Sequence, residues 1–155
     1  MFPQHISAAI LAFASTAAAT NVIQRKGANF VDASTGARFE ILGVDYQPGA
    51  NAGFNKGADP LSDGPTCLRD AIVMQNLGVN TIRVYNLDPT VNHDDCASIF
   101  NAAGIYMLLD VNTPKVSLNA EKPYTTYTGA YLEHIFTVVE ACKFRTCISS
   151  LSKKD

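Results

Sequence analysis

The feature that most restricts the fold of this sequence is an alternation of strand-type and helix-type segments across residues 29–140. Residues 79–85 form a β-branched stretch of strand length. Residues 105–109 are a near-continuous apolar run, which suits a strand buried on both faces. Helical patterns follow at about 66–77, 92–103 and 131–140. Leu68, Ile72, Val73 and Leu77 supply the expected inward face of the first helix. Ile135, Phe136, Val138 and Val139 supply that of the third. Pro65 lies near the first helix's opening turn and Gly78 just past its end. Asn92 precedes the second helix, Asp94 and Asp95 sit in its first turn, and Gly104 ends it. Upstream, residues 29–32 and 38–41 flank residues 33–36. This predicts a hairpin with Gly36 at positive φ, its second strand running on to Tyr46. The order hairpin, β, α, β, α, β, α argues for a parallel sheet with right-handed crossovers. Two α/β architectures fit this order: an open doubly wound sheet, and the opening of a (β/α)₈ barrel whose floor the hairpin would plug.

Composition narrows the function. Apolar residues make up 47% and charged residues 17%, so the chain can bury a core and is not a disordered tail. A net charge of −2 provides no basic field for nucleic acid. In either architecture ligands bind at the carboxyl ends of the strands. Asp45, Tyr46 and Gln47 follow the first parallel strand, Tyr85 and Asn86 the second, Asp110 and Asn112 the third. Aromatic faces beside amides and carboxylates suit a sugar, whose CH faces stack and whose hydroxyls hydrogen-bond. Phosphate calls instead for Gly-rich amides with Lys or Arg. Residues 49–57 are Gly-rich, but Lys56 is not in a P-loop arrangement. No cofactor is expected. His93 and His134 read as isolated helix polars, and Cys142 and Cys147 lack further ligands for zinc, so no metal is expected.

The two ends differ from the middle. Residues 6–19 are apolar and small, uncharged, and end in an Ala-x-Ala pattern, which reads as a secretory signal cleaved after Ala19. The run is short for a membrane span. All ten glycines lie at or before Gly129. From Cys142 onward there are four Lys and Arg against one acid, whereas before it there are eight against thirteen.

Four motifs carry a family resemblance. Residues 38–49 (RFEILGVDYQPG), 59–70 (DPLSDGPTCLRD), 77–85 (LGVNTIRVY) and 103–114 (AGIYMLLDVNTP) occur in the order and form typical of fungal β-1,3-glucanosyltransferases, glycoside hydrolase family 72. The resemblance covers about residues 22–141. It implies the (β/α)₈ barrel, of which this chain would supply the N-terminal portion, about three βα units plus the hairpin. It implies β-1,3-glucan as partner and a retaining transglycosylase that splits and religates glucan chains in the fungal cell wall. Such chemistry uses two carboxylates about 5–5.5 Å apart. The family places one glutamate in a GNE motif after strand four and one after strand seven, and GNE does not occur here. No acid in this chain is therefore expected to be catalytic. By resemblance, Tyr85 contacts the donor glucan, Asp110 and Gln47 meet sugar hydroxyls, and Cys67 pairs with Cys96. The family adds a C-terminal glycolipid anchor, which places it at the plasma membrane or cell surface. No hydrophobic tail of that kind occurs here, so the chain as written is expected to be secreted.

The expected organisation is a signal over 1–19, the N-terminal part of the catalytic barrel over 20–141, and a tail over 142–155 that departs from the family. The string Cys142-Lys143-Phe144 can be encoded with an intron-donor-like GTAAGT, so the tail is expected to be intron read-through. The alternatives are a secreted, non-catalytic glucan-binding protein and a fragment without function. The purified 155-residue polypeptide is expected to give no elongation of laminari-oligosaccharides in a product-size assay. Any lengthened product refutes that expectation.

Overall fold

The computed structural model describes residues 20–50, 53, 58–113 and 115–142. The expected leader, residues 1–19, and residues 143–155 of the expected tail lie outside the described residues.

Two small sheets form the frame. The first is antiparallel, in the order β1 (Ile23–Lys26), β2 (Asn29–Asp32), β3 (Arg38–Phe39). Gly27 turns β1 into β2 at φ 64°. Gly36 takes φ 71°, as the hairpin pattern requires. The Asp32 carboxylate holds the β2–β3 turn, accepting from the Ser34 and Thr35 amides and from Asn21 Nδ2. The second sheet is parallel, in the order β4 (Gly43–Asp45), β5 (Thr81–Val84), β6 (Tyr106–Leu109). Its register pairs Gly43 with Thr81 and Thr81 with Tyr106. The ladder continues past the strands. Tyr46 N donates to Arg83 O at 2.8 Å, and Asp110 N to Val84 O at 2.9 Å. A side chain at Gly43 would meet the Thr81 carbonyl at 2.9 Å, so only glycine lets β4 lie this close to β5.

The hairpin's second strand does not run through to Tyr46. The chain leaves one sheet after Phe39 and enters the other at Gly43. The Asn80 side chain bridges the break, with Nδ2 donating to Glu40 O at 2.8 Å and Oδ1 accepting from Leu42 N at 2.9 Å. One amide thus satisfies backbone groups that a continuous strand would have paired. Strand β1 was not anticipated, because Ile23–Lys26 has one apolar residue among polar ones.

Three helices cover one face of the parallel sheet: α1 (Gly64–Asn76), α2 (Asp94–Ala102) and α3 (Gly129–Cys142). The core between them and the sheet contains Ile82, Val84, Met107, Phe100 and Val138. The expected inward face of α1 is corrected here. Its buried residues are Cys67 and Ala71, while Leu68, Ile72, Val73 and Leu77 are exposed. The reason is the Cys67–Cys96 disulfide, with Cα atoms 5.4 Å apart, which turns the small-residue face of α1 onto α2. On α3, Val138 is buried but Phe136 is 65% exposed. In a (β/α)₈ ring each helix also presents a flank to its neighbours, and a single periodicity cannot tell that flank from the core stripe.

The antiparallel sheet lies at the amino end of β6. Tyr106, the first residue of β6, packs with Ile23, Phe30 and Phe39. Its ring meets Phe39 edge-on at 5.0 Å, and its hydroxyl donates to Asn21 O at 2.6 Å. This is the floor that the hairpin was expected to form. Thr20 is fastened as well, its backbone N and hydroxyl both donating to Asn101 Oδ1.

The disulfide joins residues 29 apart, and closing such a loop stabilises the fold by roughly 3.6 kcal/mol in the chain-entropy account. The paired substitution Cys67→Ser, Cys96→Ser is therefore expected to lower unfolding free energy by about 3–4 kcal/mol, measured by denaturant titration.

Candidate functional site

Alternation along β5 decides which side chains face away from the helices. Ile82 and Val84 are fully buried against them. Arg83 lies between these two and points to the opposite face, where it is exposed. On the same face and toward the carboxyl ends stand Asp45 of β4, Tyr85 just after β5 and Asp110 just after β6. The extended ladder fixes their heights, because Asp110 N is hydrogen-bonded to the residue preceding Tyr85.

Arg83 organises the group. Its Nη2 donates to Asp110 Oδ2 at 2.7 Å and its Nε to Asp110 Oδ1 at 3.1 Å, a two-pronged pair. Its guanidinium carbon lies 4.4 Å from the centre of the Tyr85 ring. Nη1 also reaches the Tyr85 hydroxyl at 3.4 Å. The hydrogen bond and charge of Asp110 push the Arg83 pKa up. The Tyr85 phenol is raised from its ordinary value, first by its hydrogen bond to the Asp45 carboxylate and then by burial. Tyr85 is therefore held at its ring by a cation and at its hydroxyl by a carboxylate. The arrangement offers a fixed aromatic surface and a fixed carboxylate at adjacent strand ends. Both groups suit a sugar ring, one by stacking and one by accepting from hydroxyls.

The other strand-end candidates serve the scaffold. Gln47 is half-buried, and its Nε2 donates to Ala50 O at 3.0 Å. Tyr46 points into the core at 3% exposure, and its hydroxyl donates to Asp70 Oδ2 at 3.1 Å. Burial pushes its phenol pKa well up, with the Asp70 charge adding to the effect. Asn86 Nδ2 donates to Ala58 O, and Asn112 Oδ1 accepts from the Tyr131 hydroxyl at 2.8 Å. Tyr46, Asn86 and Asn112 thus fasten loops and helices rather than line the open face.

Neither histidine is isolated. His93 Nε2 lies 2.9 Å from Asp59 Oδ2, with both side chains largely buried. Asp59 also accepts from the amides of Leu61 and Asp88, so one carboxylate joins two loops to the start of α2. His134 Nε2 lies 2.8 Å from Val111 O. The Asp59–His93 tie was missed because its members stand 34 positions apart, and the motif that Asp59 opens does not include His93. Among the described residues, no three His, Cys, Asp or Glu side chains gather as a metal-ligand set. No helix of the described residues is long and apolar enough to cross a membrane.

A three-stranded parallel sector with a polar strand-end face, helices on one side and an antiparallel sheet at its floor fits the opening of a (β/α)₈ barrel. Comparison with known proteins is specific. The sequence model of the glucanosyltransferase family matches residues 12–150, and the chain belongs to that family, glycoside hydrolase family 72. It is 56% identical to the 1,3-beta-glucanosyltransferase gel2 of Aspergillus fumigatus, over 92% of this chain and 31% of that protein. It is 48% identical to the 1,3-beta-glucanosyltransferase GAS4 of Saccharomyces cerevisiae, over 79% of this chain and 26% of that protein. Among solved structures it resembles Saccharomyces cerevisiae Gas2p in complex with laminaritriose and laminaritetraose. That match has a TM-score of 0.72 and 36% identity, covering 82% of this chain and 28% of that one. Gas2p in complex with laminaripentaose matches with a TM-score of 0.73. The chain spans about 31% of the length of the gel2 relative. Its fold is the N-terminal portion of a (β/α)₈ barrel, three βα units with an antiparallel sheet at their amino end.

Tyr85 titration tests the clamp. A carboxylate acceptor favours the neutral phenol, so this contact contributes stability below the ordinary tyrosine pKa of 10.0 and loses it as pH rises through the raised value. Asp45→Ala is expected to shift the Tyr85 transition to lower pH in an ultraviolet difference titration, with Tyr85→Phe identifying the signal.

Proposed function

We propose that this chain forms one wall of the glucan-binding cleft of a β-1,3-glucanosyltransferase, an enzyme that cleaves within a β-1,3-glucan and passes the released reducing end to a second chain. The observation that carries this reading is the Arg83 clamp, which holds the Tyr85 ring and the Asp110 carboxylate at neighbouring strand ends. Tyr85 stacks against or contacts a donor glucose, Asp110 accepts from a sugar hydroxyl, and Gln47 meets hydroxyls at the edge of the same cleft. The sugar-bound complexes of Gas2p support the choice of ligand.

The retaining mechanism needs a nucleophile and an acid/base, two carboxylates about 5–5.5 Å apart. Asp110 is engaged through both oxygens with Arg83, and Asp45 faces the Tyr85 hydroxyl. Both are therefore assigned to binding, and the catalytic pair to glutamates in motifs that these 155 residues do not contain. In this reading residues 1–19 direct secretion and are removed after Ala19, and the whole protein acts at the cell surface.

Binding of laminaripentaose to the chain, followed by calorimetry, tests the proposal. Tyr85→Ala and Asp110→Asn are each expected to weaken it at least about tenfold, or ~1.4 kcal/mol. Unchanged affinity in both variants would remove the assignment.

A further inference from the structure

The loop between β6 and α3 builds a second feature. Residues 115–131 border an open groove of about 460 Å³ whose lining includes Lys115, Ser117, Asn119, Thr126, Thr128 and Tyr131. Among the described residues no carboxylate lines it. Its polar groups have capacity left over after the loop has used them. Thr126 Oγ1 accepts from the Asn119 amide, and Thr128 Oγ1 accepts from the Tyr131 amide, so both hydroxyls keep a proton to donate. Asn119 Oδ1 accepts from the amides of Glu121 and Lys122, and its Nδ2 carries two further protons as donors. Among the described residues Lys115 is the only charged side chain in the lining, which is too little for a polyanion.

Two large aromatic rings stand exposed on the same loop, Tyr124 at 73% and Tyr127 at 62%. Tyr127 is not loose, because its ring packs edge-on against Tyr131, a lining residue, with centres 6.3 Å apart. Tyr131 is itself buried, and its hydroxyl is tied to Asn112, two residues beyond Asp110. The groove therefore joins the Asp110 end of the strand-end face through one hydrogen-bonded side chain. An exposed but fixed ring, a row of hydroxyl and amide donors and a low charge density together fit a neutral oligosaccharide.

We propose that this loop groove, with Tyr127 as its stacking platform, is an additional binding site for a neutral glucan chain. It extends the strand-end face outward along the β6–α3 loop. A short oligosaccharide occupies the Tyr85–Asp110 face alone. A longer one continues past Asp110 onto Tyr127 and donates and accepts hydrogen bonds at Thr126, Thr128 and Asn119. The inference rests on the assignment of the strand-end face to glucan, and chain-length dependence separates the two.

Titration calorimetry of the full chain with laminaritriose and with laminarihexaose is the test. The hexasaccharide is expected to bind about tenfold more tightly than the trisaccharide. Tyr127→Ala should remove that advantage and leave laminaritriose binding unchanged, while Tyr127→Phe, which keeps the ring, should retain it. Tyr85→Ala should weaken both ligands. If Tyr127→Ala leaves the hexasaccharide as tight as before, the groove proposal is overturned and the strand-end assignment stands. If Tyr85→Ala affects neither ligand while Tyr127→Ala weakens the longer one, the groove stands and the strand-end assignment falls. Absence of binding by both sugars to the unsubstituted chain overturns both.

Discussion

Every part of the site hangs on the hydrogen-bond ladder of β5. This four-residue strand receives β4 on one edge and β6 on the other, in parallel register. Two of its buried side chains, Ile82 and Val84, anchor it in the helical layer. Alternation then leaves Arg83 nowhere to point but the opposite face. Because the ladder continues through Tyr46 and Asp110, the groups that Arg83 meets are set at its own height. A one-residue slip of β6 would move Asp110 out of reach and turn Leu109 toward the open face. Gly43 protects that register from the other edge by allowing the close approach of β4.

The clamp consists of exposed charges, and exposed ion pairs contribute little to stability, typically about 0–1 kcal/mol. Its value lies in order. A tyrosine at a strand end ordinarily samples several rotamers, and a sugar that stacks on it must select one of them. Here the guanidinium over the ring and the carboxylate at the hydroxyl make that selection before a ligand arrives. The disulfide between α1 and α2 works at a different level, holding the helices that press on the far side of the same sheet.

The alternation of segments was legible because strand and helix periods differ and because Gly78 and Gly104 punctuate the helix ends. Strand-end positions followed from topology, so Asp45, Gln47, Tyr85 and Asp110 could be named as neighbours of one face. Which strand-end residues faced inward was not legible. Tyr46 and Gln47 are adjacent in sequence, yet one is core and the other half-buried in the loop after β4, since the ladder and not composition sets the phase. Arg83 escaped notice because a lone cation within a β-branched run reads as a solvated face. The α1 stripe misled for a related reason. Leu68, Ile72, Val73 and Leu77 mark a flank, whereas the contact with α2 is made by the small residues Cys67 and Ala71, which carry little hydrophobic signal. The Asn80 bridge has no sequence signature, as its partners lie about 40 residues away and are backbone atoms.

The fastening of Thr20 has a consequence for maturation. Its backbone nitrogen and hydroxyl share one acceptor, Asn101 Oδ1, at 3.0 and 2.8 Å. Under the proposed processing after Ala19, that nitrogen changes from an amide carrying one proton to an ammonium carrying three. The same acceptor then receives a charge-assisted bond, which is stronger than the neutral one it replaces. Maturation would thus tighten the seam between Thr20 and α2, and a cut one residue later would remove both donors at once. The proposed scissile position would in this way be matched to the last turn of a helix 81 residues downstream.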